Sequence, residues 1–172
     1  MVSKRAREAL NFGDRAGLRM KESKPVSPLS EHLGFWLRFV SNAVSHAFAR
    51  KLAKHDVTGA EWVMLRALYD EDACAPSVLA DKLGMTRGAI SKLADRLEAK
   101  AFLTRSPDPG DRRSHRLELT AKGRKLTPML ASLADQNDAE FFGHLTGEER
   151  SRVEAAMRDI VRLQGLRSAP VD

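Results

Sequence analysis

The sequence predicts a mainly α-helical protein with one small β-hairpin wing: a winged helix-turn-helix with longer helices at its N- and C-terminal ends. Three observations predict this fold class. Apolar residues recur at the three- and four-residue spacing of helices near both ends of the chain. Two short helical segments, about 76–83 and 86–100, follow each other across a glycine-containing turn. Two strand-like pieces then flank a turn rich in proline, glycine and aspartate.

The first 27 residues are predicted to form a basic arm, and residues 28–172 a folded domain. The arm mixes lysine and arginine with glycine, serine and proline, and its apolar residues are sparse. We interpret it as flexible or partly helical. Ser30 is then predicted to cap a long helix that continues to about Leu52, because apolar residues follow it at helical spacing on a wide face.

The next three helices are predicted from their end signals. Thr58 and Glu61 have the spacing of a capping box, and an acidic run at 70–72 ends the helix that they begin. Pro76 suits the first position of the third helix. Gly84 provides a left-handed residue for a sharp turn, and Thr86 caps the fourth helix.

Residues 101–105 and 114–120 are predicted to form the two strands of a hairpin around the turn at 106–113. The remainder is helical, at about 121–142 and 147–166. Thr146 and Glu149 have the spacing of a second capping box at the start of the last helix.

The net charge of +6 is distributed unevenly over the 172 residues. Residues 82–125 carry twelve basic and five acidic groups, a net charge of +7, whereas the arm at 1–27 carries seven basic and three acidic groups, a net charge of +4. The rest of the chain is mildly acidic. The basic block therefore favours a polyanionic partner, with a solvated surface as the alternative.

The fourth predicted helix has the pattern of a helix that reads DNA. Ile90, Leu93 and Leu97 form one apolar stripe. Short, small or basic residues lie on the other side, as a helix in the major groove requires for close approach and for contact with bases and phosphates. These candidate DNA-binding residues are Thr86, Arg87, Gly88, Ser91 and Lys92. An ordinary amphipathic surface helix is the alternative.

The hairpin turn has the residues expected of a wing. Arg112 and Arg113 at a protruding tip would enter a narrow minor groove, where the negative potential is enhanced. Asp111 would hold an arginine side chain in one pose through a charge-assisted hydrogen bond. Arg105, His115 and Arg116 add basic character nearby. A solvated turn is the alternative for the loop alone, but helix-turn-helix and basic hairpin together predict a DNA-binding module.

Three runs of this sequence resemble the MarR family of bacterial transcriptional regulators: residues 79–86 (LADKLGMT), 90–100 (ISKLADRLEAK) and 108–120 (DPGDRRSHRLELT). The resemblance covers about residues 30–165. It implies a homodimer that binds a palindromic operator in double-stranded DNA, as a repressor released by a small phenolic or anionic ligand. It also implies the DNA-binding roles of the recognition helix and wing residues. Two positions depart from the family pattern, with Ala101 in place of the usual glycine and Ala75 in place of a capping threonine or serine.

The long terminal helices also predict the homodimer independently of the resemblance. They carry more apolar positions than a small winged-helix core needs. We therefore expect dimerisation helices at about 30–52 and 121–166, on either side of a winged helix-turn-helix at about 57–120. A two-fold dimer would place two recognition helices roughly 34 Å apart, one turn of DNA. Packing within one chain is the alternative.

The resemblance places the ligand cleft beside the first two helices, where Trp36, Trp62 and Arg66 are candidates. Each has a second interpretation, since tryptophan at helical spacing is usually core or interface. Arg66 either binds an anion or pairs with Glu61 or another carboxylate.

Other functions are disfavoured by the residues themselves. The chain has no glycine-rich phosphate loop, nucleophile elbow or metal motif, so we expect no enzyme activity, no cofactor and no metal. Cys74 follows an acidic run, which favours the unreactive thiol. One cysteine suits a reducing cytoplasm, and no apolar run is long enough to span a membrane. A non-specific or architectural DNA-binding protein remains the alternative function, and the arm would suit it.

Overall fold

The structure is a computed structural model that describes residues 26–108, 110 and 115–166. It confirms a mainly helical fold with one two-stranded antiparallel hairpin. A 3₁₀ turn at Leu29–Glu31 precedes the first helix. The helices and strands follow in the order α1 (Leu33–Ala53), α2 (Gly59–Tyr69), α3 (Pro76–Leu83), α4 (Arg87–Ala99), β1 (Leu103–Pro107), β2 (His115–Leu119), α5 (Ala121–Phe142) and α6 (Gly147–Leu163).

Most predicted end signals are confirmed. Thr58 and Glu61 form a reciprocal capping box at α2, and Thr146 and Glu149 form another at α6. The Thr86 hydroxyl accepts a hydrogen bond from the Ala89 amide at 3.1 Å. Gly84 ends α3 with a left-handed φ of 63°. These signals act within four residues, which is why the sequence alone reveals them.

Two predicted helix ends are wrong. Ser30 does not cap α1, because residues 29–31 form a separate 3₁₀ turn and the helix begins three residues later at Leu33. The Ser30 carbonyl instead accepts a hydrogen bond from Trp36 Nε1 at 2.8 Å. The last helix ends at Leu163 rather than at 166, since Gly165 adopts a left-handed φ of 62° just beyond it.

The hydrophobic core lies inside the winged helix-turn-helix. It combines one side of each of α2, α3 and α4 with the hairpin and with single residues of α1 and α5. Its fully buried large apolar residues are Leu52, Met64, Leu65, Leu68, Leu79, Ile90, Leu97, Leu103, Leu117 and Leu130. The recognition helix is therefore held on its inner face by the same apolar residues that hold the wing.

The hairpin is anchored to the loop before α3. Its register pairs Leu103 with Leu119 and Pro107 with His115. Leu117 of β2 also exchanges two backbone hydrogen bonds with Cys74, at 2.8 and 2.9 Å. The loop between α2 and α3 thus adds a short third pairing to the two-stranded sheet.

The turn between α4 and β1 contains a strained residue. Ala101 has a left-handed φ of 58°, in the position where the MarR pattern has glycine. The backbone nevertheless makes the hydrogen bonds of a helix end, from Ala101 N to Glu98 O and from Phe102 N to Leu97 O. An L-residue other than glycine in this conformation costs roughly 1–2 kcal/mol. The left-handed conformation of Ala101 is therefore kept at a cost in stability.

The terminal helices carry large apolar side chains that the single chain does not bury. All of α6 is described, and none of its residues is buried. The exposed apolar residues of α1 and its approach are Leu29, Leu33, Phe35, Trp36, Leu37, Phe39 and Val40, and those of α6 and the residues after it are Val153, Met157, Ile160, Val161, Leu163 and Leu166. Within the described part of the chain, no helix combines the length and the apolar character needed to cross a bilayer.

Candidate DNA-binding surface

The structure places the predicted recognition-helix residues together on one exposed side of α4. Ile90, Leu93 and Leu97 bury the opposite side against the core. The exposed residues at the start of the helix are Thr86, Arg87, Gly88, Ser91 and Lys92. This side therefore presents hydroxyl groups, two cations and a backbone without a side chain to whatever approaches it.

Nothing in the described chain requires glycine at position 88. A Cβ placed there would have only Thr86 Oγ1 near it, at 4.0 Å. Glycine inside a helix costs about 1 kcal/mol relative to alanine, so its presence has no explanation in the folding of this chain. The close approach of DNA to the helix backbone at Gly88 stays a prediction from the sequence.

The predicted wing residues fall in two groups. Asp111, Arg112 and Arg113 lie outside the described residues. Arg105 and Arg116 are described, and both are partly exposed and make contacts within the chain. Arg105 binds the carboxylates of two residues of α4, and Arg116 donates to the backbone carbonyl of Ala73. The guanidinium groups of both arginines are thus engaged within the chain, which their position beside a basic loop did not reveal.

The C-terminal end of α4 is held by an ion pair that sequence reasoning missed. Lys100 Nζ lies 3.0 Å from both carboxylate oxygens of Glu61 and 2.6 Å from the carbonyl oxygen of Asp56. The Glu61 side chain is 0% exposed and that of Lys100 is 23% exposed. The sequence indicated a capping box at Glu61 and offered Arg66 as a possible ion-pair partner, and neither signal reveals a partner 39 positions away.

Opposing effects act on the pKa of Glu61. Burial raises it, but hydrogen bonds from the Thr58 backbone and from Lys100 outweigh burial and hold the pKa below its ordinary value. The carboxylate is therefore charged at neutral pH although it is buried. That charge joins the recognition helix to the start of α2.

Two of the three ligand candidates share a groove. Trp62 and Arg66 line an open groove of about 410 Å³ between α2 and the end of α3, together with Lys82 and Leu83. Arg66 pairs with Asp70 at 2.6 Å rather than with Glu61. Trp36 does not line this groove, because it packs edge-on against Phe35 at the start of α1. The groove has an aromatic wall, two cationic groups and the Asp70 carboxylate that pairs with Arg66.

Cys74 is buried, and burial raises the pKa of its thiol, with the nearby Glu71 carboxylate as a smaller contribution. The prediction that Cys74 favours the unreactive thiol is thus correct, but the main cause is burial rather than the acidic run. Among the residues that the structure describes, no cluster of histidine, cysteine and carboxylate side chains could hold a metal ion.

Comparison with known proteins agrees with this geometry. The sequence model of the MarR family matches residues 55–114, the part that contains α2, α3, α4 and β1. The transcriptional regulator HosA of Escherichia coli O111:H- is 30% identical over 95 residues, which cover 55% of this chain and 70% of HosA. The matching relatives are transcriptional regulators and not enzymes.

Two solved structures share the fold over most of their length. A structure of BpsR from Bordetella bronchiseptica, described with the regulation of its DNA binding by 6-hydroxynicotinic acid, has a TM-score of 0.69 and 28% identity, and the match covers 78% of this chain and 96% of BpsR. The MepR–DNA complex of S. aureus has a TM-score of 0.70 and 25% identity, with coverage of 76% and 97%. The exposed side of α4 therefore belongs to a fold that has been solved with DNA bound.

Proposed function

This chain belongs to the MarR family of DNA-binding transcriptional regulators, and from this premise we propose that it binds a palindromic operator as a homodimer and represses transcription until a small ligand releases it. The observation that carries the proposal is the exposed side of α4, where Thr86, Arg87, Gly88, Ser91 and Lys92 lie together opposite a buried apolar stripe. Asp111, Arg112 and Arg113 complete the proposed contacts from the wing.

Selection from a random-sequence duplex pool tests sequence-specific binding. We expect the full chain to enrich an inverted repeat whose half-sites are about one helical turn apart. Binding to the enriched duplex and to a scrambled duplex is then measured at two salt concentrations. Equal affinity for both duplexes, with affinity that collapses at high salt, would instead support the non-specific or architectural alternative.

The exposed apolar side chains of α1 and α6 support a second copy of this chain as the partner. Val153, Met157 and Ile160 recur at helical spacing on α6, and each is more than two-fifths exposed in the single chain. Soluble proteins rarely leave so large an apolar face in water. A two-fold dimer would cover this face and set the distance between the two recognition helices.

The mass in solution tests the dimer. We expect Ile160→Glu to convert a dimer to a monomer, because the new carboxylate would be buried in the interface. Ala155→Glu is the matched control, since residue 155 lies on the opposite side of α6 from Val153 and Met157. A monomeric unmodified chain, or dissociation by both variants alike, would contradict the proposed interface.

The groove beside Trp62 and Arg66 supports an aromatic anion as the effector. Its apolar wall suits a planar ring, and Arg66 and Lys82 offer cations to a carboxylate or phenolate once their intrachain partners give way. BpsR, whose DNA binding is regulated by 6-hydroxynicotinic acid, provides a precedent for this chemistry. Trp36 remains a separate candidate outside the groove.

Thermal shift with 6-hydroxynicotinic acid and 4-hydroxybenzoate tests the effector site. A ligand of the native state raises Tm by mass action, and we expect Arg66→Ala to abolish the shift. Lys125→Ala, on the exposed side of α5, should leave it intact. Trp36→Phe isolates the fluorescence of Trp62, which the bound ring should quench. Binding that survives Arg66→Ala would exclude this groove as the site.

A further inference from the structure

Arg105 connects the wing to the recognition helix. It lies on β1, and its guanidinium reaches across to α4, where Nη2 donates to the Asp95 carboxylate and Nη1 donates to the Glu98 carboxylate. The arginine side chain is 31% exposed. Asp95 and Glu98 are three residues apart, so they lie on one face of the helix and are bridged by a single cation.

The two carboxylates lie where they would oppose DNA binding. Asp95 follows Ser91 by four residues and Lys92 by three, so it continues the exposed side of α4 toward its C-terminal end. A bare carboxylate there would repel phosphates. Arg105 offsets both negative charges, and the hydrogen bond to Asp95 is the main reason that the pKa of Arg105 is raised.

The shape of the guanidinium makes this pairing directional. Arginine presents its donors in a rigid planar fork, so binding two carboxylates with two different nitrogens restricts both the distance and the angle between β1 and α4. Arg105 is also opposite Leu117 in the hairpin register. Leu117 is buried, and its backbone is hydrogen-bonded to the backbone of Cys74. The hairpin is thus fastened to α4 through Arg105 on one strand and to the loop before α3 through Leu117 on the other.

We infer that Arg105 is a positioning residue, which sets the angle between wing and recognition helix through Asp95 and Glu98 and does not itself contact DNA phosphate. This inference rests on the proposed function, because the angle matters only if both elements engage one operator. Its consequence is that Arg105 contributes to discrimination between sequences. A phosphate contact would contribute equally to all DNA.

The test uses three variants of the full chain: Arg105→Ala, Arg105→Lys, and the double variant Asp95→Asn with Glu98→Gln. Each is measured on the enriched duplex and on its scrambled counterpart over a range of salt. Arg158→Ala, which removes a cation paired within α6, is the matched control. Hydrogen exchange of the hairpin amides is followed in the same proteins without DNA.

We expect all three variants to lose about tenfold in the ratio of enriched to scrambled affinity, a ratio in which the electrostatic effect of a changed charge on both duplexes cancels. Lysine should fail to substitute, because it lacks the planar fork. The double variant separates the two effects best. Removal of two negative charges beside DNA strengthens non-specific binding by electrostatics. Loss of the positioning contact lowers the ratio of enriched to scrambled affinity. Hairpin amides should exchange about tenfold faster in all three.

Two results would overturn the inference. If Arg105→Lys retains the affinity ratio while Arg105→Ala weakens binding to both duplexes equally and leaves that ratio unchanged, Arg105 acts through its charge and not through the angle of the wing. If hairpin exchange stays at the level of the Arg158→Ala control in every variant, the pairing does not orient the wing. Should the unmodified chain enrich no sequence at all, the proposed function is wrong, and the exchange measurement alone decides the role of Arg105.

Discussion

Lys100 and Glu61 form the one ion pair in the described chain whose carboxylate is completely buried, with Nζ 3.0 Å from each oxygen. The pair joins the last residue of the recognition helix region to the first turn of α2. A buried pair of this kind contributes little net stability compared with apolar residues, but it is expensive to break from one side. Its value for a DNA-binding protein lies in fixing where α4 ends.

Lys100→Met should destabilise the protein more than Glu61→Gln. Methionine leaves a buried carboxylate without its cation, at a cost of about 3 kcal/mol. Glutamine leaves a partly exposed lysine that still donates to the Asp56 carbonyl, so we expect about half that loss. Chemical denaturation measures both, with Lys125→Met as the control. If Glu61→Gln lowered the free energy of unfolding as much as Lys100→Met or more, the buried carboxylate would not be the main source of the cost.

Acid should remove the stabilisation that Glu61 provides. Its pKa is lowered in the folded protein, so the stabilisation is fully present above the unfolded pKa and is lost as the pH falls through the folded value. We therefore expect the free energy of unfolding to fall below about pH 4.5, and to fall less steeply in Glu61→Gln. Glu149→Gln, at the fully exposed capping box of α6, is the matched comparison. If the free energy of unfolding fell equally steeply with pH in Glu61→Gln and in the unmodified chain, protonation of Glu61 would not be the cause of the loss.

Gly88→Ala should change stability and DNA affinity in opposite directions. The methyl group has open space in the protein and removes the glycine penalty, so the free energy of unfolding should rise by about 1 kcal/mol. If DNA approaches the backbone at this point, the same methyl group weakens binding to the enriched duplex. Denaturation and a binding titration on one preparation provide both values. A variant that is more stable and binds equally well would show that residue 88 faces no DNA.

Ala101→Gly should stabilise the protein by about 1 kcal/mol, because glycine adopts the left-handed φ of 58° without the steric cost. Glycine also increases the entropy of the unfolded chain, which reduces the gain. The change is expected in thermal or chemical denaturation, with no change in operator affinity. Gly123→Ala is the contrasting variant, since its Cβ would lie 2.1 Å from the Phe102 carbonyl oxygen and should destabilise strongly. A loss of stability in Ala101→Gly would mean that the turn is not strained.

Much of the fold could be predicted because it depends on local signals. The bounds predicted for α3 and α5 match the structure, and the capping boxes at Thr58 and Thr146 are present. Of the candidate site, α4 exposes the five residues that the sequence predicted, and their contact with DNA stays a prediction, while Asp111, Arg112 and Arg113 lie outside the described residues. The prediction that Ser30 caps α1 is wrong because Ser30 lies inside a 3₁₀ turn at Leu29–Glu31. The residue type alone does not reveal that turn.

The sequence by itself determined where α2, α4 and α6 begin, where the chain turns at Gly84, and which side of α4 is apolar. These features depend on contacts within one or two helical turns, whose geometry follows from spacing alone. Only the tertiary structure decided that Lys100 meets Glu61, that Arg105 meets Asp95, and that Leu117 pairs with Cys74. Such partners are brought together by the packing of separate helices and strands around a shared core. Charge and residue type make them suitable, but only the packed chain places them within reach of each other.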